Sequence, residues 1–279
     1  MRNSHENVPD WTKPTAKEAQ LDAILLSRSE GRLHSLLKEL LQDKEINLYH
    51  SYANVVSVRR LGYNDHGPVH ARITTYNALK ILRLLKEGGV ESGFVSESVG
   101  TQEDAAMVVA LGCFLHDVGM SVTREAHEWH SIVLADHIIR RYLDVHCPGD
   151  LAKQVAMRSM IHECMVGHMA HDRIHSVEAG VVLVADGTDM SKGRSRIPMN
   201  LERDPTVGDM HRYSSQSVSR VEIAKGTHKP VGLTIKMDNA TGLYQIEEVL
   251  MTKVKASPIM SHLEIMVEVG GEPPKWYLR

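Results

Sequence analysis

Two adjacent side chains, His116 and Asp117, close an almost uncharged run from Ala105 to Leu115. The run reads as a buried helix, and Gly119 is expected to end it as a left-handed C-cap. An imidazole and a carboxylate at the end of an apolar helix are expensive to desolvate unless something binds them, and a metal ion does so well. Taken alone, the pair also fits a C-terminal histidine favoured by the helix dipole, with Asp117 opening the next turn. The remaining histidines tip the balance. His70 begins a second apolar helix and Asp186 ends a third, so three helices each deliver a ligand-type residue at or near a terminus. Two imidazoles and two carboxylates suit a hard to borderline divalent ion and leave positions for water and substrate. Such an ion lowers the pKa of bound water and polarises a phosphoryl oxygen.

The elements that must place these residues are mainly helical. Leu21, Ile24, Leu25, Leu33, Leu36, Leu37, Leu40 and Leu41 recur at helical spacing, with Gly31 as a break between two helices. Ile46 to Leu61 reads as another helix. Gly62 to His70 is a turn running into a helix with Pro68 near its first position, and that helix stops at Gly88-Gly89. Thr101 with Asp104 resembles a capping box for the central helix. Helices follow to about Leu143 and from Ala152 to about Met169. Val177 to Asp186 is apolar, and its β-branched residues also allow a strand; the helical context before it favours helix.

Near Ile197-Pro198 the composition changes. Strands are expected over Val218 to Ala224, Pro230 to Met237 and His262 to Val269, with a helix over Gly242 to Lys255. The fold class is therefore mainly α, followed by a small C-terminal α+β subdomain. The expected division is an N-terminal tail and helices over 1–45, a helical metal-binding domain over 46–204, and the α+β subdomain over 205–279.

Composition narrows the function classes. The chain has 279 residues, enough for a sizeable core, and 42% hydrophobic and 24% charged residues, as in an ordinary soluble protein. A net charge of −3 provides no global attraction for nucleic acid or an anionic membrane. Cys113, Cys147 and Cys164 are widely spaced and form no CxxC, which argues against a disulfide scaffold and structural zinc. The polar N-terminus is no signal peptide, and no apolar run is read as approaching a membrane span. A cytoplasmic protein is expected. The 17 histidines are the unusual feature, and His is the commonest metal ligand.

The order His70, His116-Asp117, Asp186 on successive helices is similar to the HD superfamily of metal-dependent phosphohydrolases. "HARI" after the first His, "FLHDVG" around the pair and "EAGVVLVADGTDM" around the last Asp carry the resemblance, which covers roughly residues 50 to 200. It implies an HD-type helical bundle holding one or two divalent metal ions; Mn, Fe, Co, Ni, Zn and Mg are not distinguishable from these ligands. Members with two metals use one further His from each of the next two helices, which nominates His127 and His168, with Asp117 as the catalytic carboxylate bridging the metals. A bridging hydroxide between metals about 3.5–4 Å apart is then the nucleophile. Some two-metal members carry a tandem His-His at the second position; Met169 follows His168 here, a departure from the cyclic-dinucleotide branch. His130, His162, His171 and His175 read as surface or supporting histidines. For His66, four residues before His70 but ahead of Gly67-Pro68, ligation stands level with a role in supporting a ligand or contacting substrate.

Beyond Asp186, Lys192, Arg194 and Arg196 put three cations in five residues, suited to the phosphate of a small substrate, although a solvated basic loop has the same composition. Arg72 is read as either a site residue or half of an internal ion pair. The expected function is hydrolysis of a phosphate ester, nucleotide-like. The alternatives are a di-iron HD-type oxygenase acting on a small polar substrate and a non-catalytic ligand sensor. The expected partner is a small phosphate-bearing substrate, with a homo-oligomer allowed and neither nucleic acid nor membrane implied. No function is assigned to the C-terminal unit.

Overall fold

In the computed structural model, which describes residues 10–194 and 209–279, the chain opens with two helices, α1 (Ala16–Ser27) and α2 (Gly31–Gln42). Gly31 divides them by adopting φ +59°, a region that glycine enters without steric penalty. α3 (Lys44–Asn54) is capped by the Asp43 side chain and continues into a π-helical segment, Val55–Arg60. α4 (Pro68–Glu87) starts at proline, whose missing N–H is no loss in a first turn. A short α5 (Gly93–Ser96) precedes α6 (Gln102–Leu115), which opens with the expected reciprocal Thr101–Asp104 capping box. α7 (His127–His146), α8 (Leu151–Gly167) and α9 (Val177–Thr188) complete the helical part, and α10 (Asp209–Ser217) leads out of it.

α6 is the hub. Every residue from Met107 to Leu115 is buried, and α4, α8 and α9 pack against it. Gly112 lets α8 come close: a Cβ there would lie 2.7 Å from Cys164 Cβ. The stretch Gln102–Ser121 has the length and composition of a membrane span, contrary to the sequence reading, but 89% of it is buried inside the protein, as a core helix requires. α9 is helical despite its valines because it is buried among α4, α6 and α8, and such packing outweighs a propensity difference of a few tenths of a kcal/mol per residue.

After α10 the chain forms β1 (Val218–Lys225), β2 (Val231–Met237), β3 (Leu263–Val269) and β4 (Lys275–Leu278), paired in that order. β4 is an addition to the three expected strands. β1–β2 and β3–β4 are antiparallel, but β2 and β3 are parallel. A parallel pair requires the chain to cross back, and here it does so through a π-helical segment, Gln245–Leu250, running into α11 (Met251–Ala256). The sheet lies against α4, and α11 packs on α9. The protein is thus mainly α with a small C-terminal α+β part. One buried apolar cluster runs from Leu25 through α6 to Val267, so the α+β part shares its core with the helices. The expected boundary at 204/205 lies outside the described residues.

Candidate metal centre

α6 ends at Leu115, leaving His116 as its C-cap residue and Asp117 just beyond. Gly119 is not the left-handed C-cap expected from sequence. It sits in a 3-10 turn, Val118–Ser121, and is absent from the positive-φ glycines. Its hydrogen is needed for another reason: a Cβ at this position would lie 2.0 Å from the His127 carbonyl oxygen and 2.5 Å from Ser131 N. The Gly119 amide donates to Ser131 Oγ at 2.8 Å, and that hydroxyl donates to the His116 carbonyl at 2.5 Å. α7 is thereby clamped onto the end of α6, bringing His127 beside Asp117.

Four imidazoles converge on two carboxylates. His70 Nε2 lies 3.1 Å from Asp186 Oδ1, 3.3 Å from Asp117 Oδ2 and 3.2 Å from His116 Nε2. His116 Nε2 is 3.2 Å from the same Asp117 Oδ2. The other Asp117 oxygen, Oδ1, faces His127 Nε2 at 3.1 Å and His168 Nε2 at 3.4 Å, and those two nitrogens are 3.0 Å apart. Asp117 therefore presents one oxygen to each pair of histidines. All these residues are buried.

The hydrogen bonds decide the tautomers. His116 Nδ1 donates to the Cys113 carbonyl at 2.7 Å, His127 Nδ1 to that of Arg124 at 2.9 Å, and His168 Nδ1 to that of Met165 at 2.6 Å. A carbonyl oxygen can only accept, so in each ring the proton is on Nδ1 and the Nε2 lone pair faces the centre. His70 Nδ1 is engaged by Asp189 Oδ2 at 2.6 Å, the usual carboxylate support of a ligating imidazole. Facing lone pairs near 3 Å repel unless a proton or cation lies among them, and buried Asp117 Oδ2 has no hydrogen-bond partner of its own. Two overlapping groups, His70 with His116 and Asp186, and His116 with Asp117 and His168, keep their ligand atoms within 4.8 Å of one another. These clusters can hold a metal ion.

The electrostatics agree. Burial would raise the pKa of Asp117, but the imidazoles of His116, His127 and His168 hold its carboxyl well below the usual range. Burial acts the same way on Asp186, and Lys253, His70 and His116 overcome it. Burial and Arg194 disfavour a proton on His70, yet Asp117, Asp186 and Asp189 push it well above its ordinary value, so this corner of the site draws in positive charge. Burial lowers His168 to about 4, leaving it a neutral donor.

The other nominated residues divide. His66 lies outside α4, is buried, and places its ring 5.9 Å from that of His70 without joining either ligand group. His162 is paired with Asp136 at 3.2 Å, while His171 and His175 are exposed and His130 is half-buried. Arg72 is the internal ion-pair partner of Asp22 at 2.5 Å. Arg194 borders the centre: it donates to the carbonyls of Asp189 at 2.8 Å and Asp65 at 3.2 Å, tying the loop before α4 to the end of α9. Lys192 is exposed and paired with Asp238 at 3.0 Å, away from the ligands. Arg196 lies outside the described residues.

Two important residues were not picked out as site residues from the sequence. Asp189 was visible within the motif around Asp186, but its pairing with His70 was not. Lys253, read only as part of the helix expected over Gly242 to Lys255, is buried, and its ammonium donates to Asp186 Oδ2 and to the His168 carbonyl. The β2–β3 crossover delivers it there.

Fold and site together define a mainly helical protein with a buried His/Asp centre able to hold metal. In comparison with known proteins, the chain is 38% identical over 254 residues to uncharacterized protein MJ1020 of Methanocaldococcus jannaschii, covering 91% of this chain and 96% of that protein. It belongs to the same family as that protein. No family model matches the chain, and no solved structure matches it.

Proposed function

We propose that this protein is a metal-dependent phosphohydrolase of the HD type, hydrolysing a phosphate ester of a small, nucleotide-like substrate. The observation that carries the reading is the placement of Asp117, with Oδ2 toward His70 and His116 and Oδ1 toward His127 and His168. One divalent ion would be held here by His70, His116, Asp117 and Asp186, and a second by residues that include His127 and His168. Bound there, the metals supply an activated water and Lewis-acid polarisation of the phosphoryl group. The chain's own residues hold each imidazole in its ligating tautomer and exclude bulk water by burial. They also border the centre with the cations Arg124, Arg194 and Lys253.

Elemental analysis of protein purified without chelator tests the reading. About two metals per chain in wild type, about one in His127→Ala with His168→Ala, and a further loss in Asp117→Asn are expected. Phosphoester hydrolysis by the loaded protein completes the test. Substrate-dependent O2 uptake without hydrolysis would replace this reading with an oxygenase, and absence of bound metal would end it.

A further inference from the structure

The metal centre opens into a cavity of about 300 Å³, bordered on one side by the loop carrying Tyr63 and His66 and on the other by the crossover segment with Glu248, Thr252 and Lys253. A π-helical segment lies on each side, Val55–Arg60 ahead of the loop and Gln245–Leu250 in the crossover. The volume is at the small end of ligand cavities and suits one compact polar molecule or group.

Three cations line this cavity, and their partners differ. Lys253 is held by Asp186 and the His168 carbonyl. Arg194 is held by two backbone carbonyls and stands 3.8 Å from Asp186. Arg124 has no carboxylate oxygen within 4.0 Å among the described residues, although the exposed carboxylate of neighbouring Glu125 feels its charge; its guanidinium lies 5.8 Å from the centre of the Tyr63 ring and 3.9 Å from Met120 Sδ. Among the described residues its guanidinium thus forms no ion pair, and its one side-chain hydrogen bond is the weak one to Met120 Sδ.

We infer that Arg124 is the anion-reading residue of this cavity and that the ligand is a small phosphomonoester, gripped by Arg124 at its phosphate. The inference deepens the phosphohydrolase reading and rests on it for the reaction, but anion binding is measurable without turnover. A guanidinium grips phosphate through two parallel hydrogen bonds, which an ammonium cannot reproduce.

The test is calorimetric titration of the full chain with inorganic phosphate, in metal-free and Mn2+-loaded forms. It compares wild type, Arg124→Met, Arg124→Lys and the distant control Lys80→Met, with thermal melts to check folding. Arg124→Met should weaken phosphate binding about tenfold or more, with Arg124→Lys between it and wild type and Lys80→Met unchanged. Metal content should be the same in all four. Phosphate bound equally well by Arg124→Met and wild type, or by neither, would overturn the assignment. Hydrolysis of phosphoesters indifferent to Arg124 would leave the phosphohydrolase standing and remove this inference. Arg124-dependent phosphate binding with no hydrolysis would do the reverse.

Discussion

His70 and Asp189 stand 119 residues apart in the chain, and their side chains share a 2.6 Å hydrogen bond from Nδ1 to Oδ2. The bond sets the ring orientation, and the negative charge behind it makes Nε2 a stronger donor to a cation in front. Asn77 Nδ2 donates to Thr188 Oγ1 at 2.9 Å, so α4 and the end of α9 are tied together beside this pair. Replacing Asp189 by Asn should leave the fold intact and weaken metal binding by about 10–100-fold. Competition with a chromogenic chelator measures this directly; unchanged affinity would show that the pair is structural only.

Lys253 acts in the opposite sense, because its ammonium occupies Asp186 Oδ2. Removing one partner of a buried ion pair typically costs about 3–5 kcal/mol, since the other charge is left uncompensated. Lys253→Met should therefore lower the stability of metal-free protein by about that much, and added metal should restore most of the loss. Thermal melts with and without Mn2+ give the answer. A loss that metal does not restore would mean that the lysine mainly fastens the crossover helix.

Gly119 permits the contact between α7 and the turn that follows α6, on which the second histidine pair depends. A methyl group 2.0 Å from the His127 carbonyl oxygen cannot be accommodated by side-chain rotation, because the obstacle is backbone. Gly119→Ala should cost about 3 kcal/mol or more, measured by urea unfolding, and should reduce metal content through displaced His127.

His50, outside the candidate ligand groups, provides a further pH dependence. Burial lowers it to about 3, with Arg72 adding to the effect, while its Nε2 donates to the Phe114 carbonyl at 2.6 Å and buried Nδ1 has no partner. The folded state resists the proton that the unfolded chain accepts near its ordinary pKa of about 6.5. The resulting stability is fully present above about 6.5 and is lost as pH falls toward 3. Between about pH 7.5 and about pH 5 the loss from this group is about 2 kcal/mol. His50→Gln should be less pH-dependent than wild type by that difference in urea titrations at the two pH values.

The sequence alone was enough to place His70, His116, Asp117 and Asp186 at helix ends, because a helix terminus is a local event written in capping residues and in the loss of apolar periodicity. The ligating tautomers are nearly as local: His116, His127 and His168 each donate to the carbonyl three residues earlier. The mainly α architecture and the small α+β tail were likewise legible from periodicity. What only the tertiary structure decided is which polar side chains answer the ligands across the chain. Lys253 lies 67 residues from Asp186, on a helix whose apolar face looks like ordinary packing, and reaches it because the parallel pairing of β2 and β3 requires a crossover there. Gly119 was misread for the same reason, since a close approach between two helices leaves no mark in the residues around it. Local structure follows from neighbours in sequence; charge balance in a buried site is set by whichever distant segment the packing brings there.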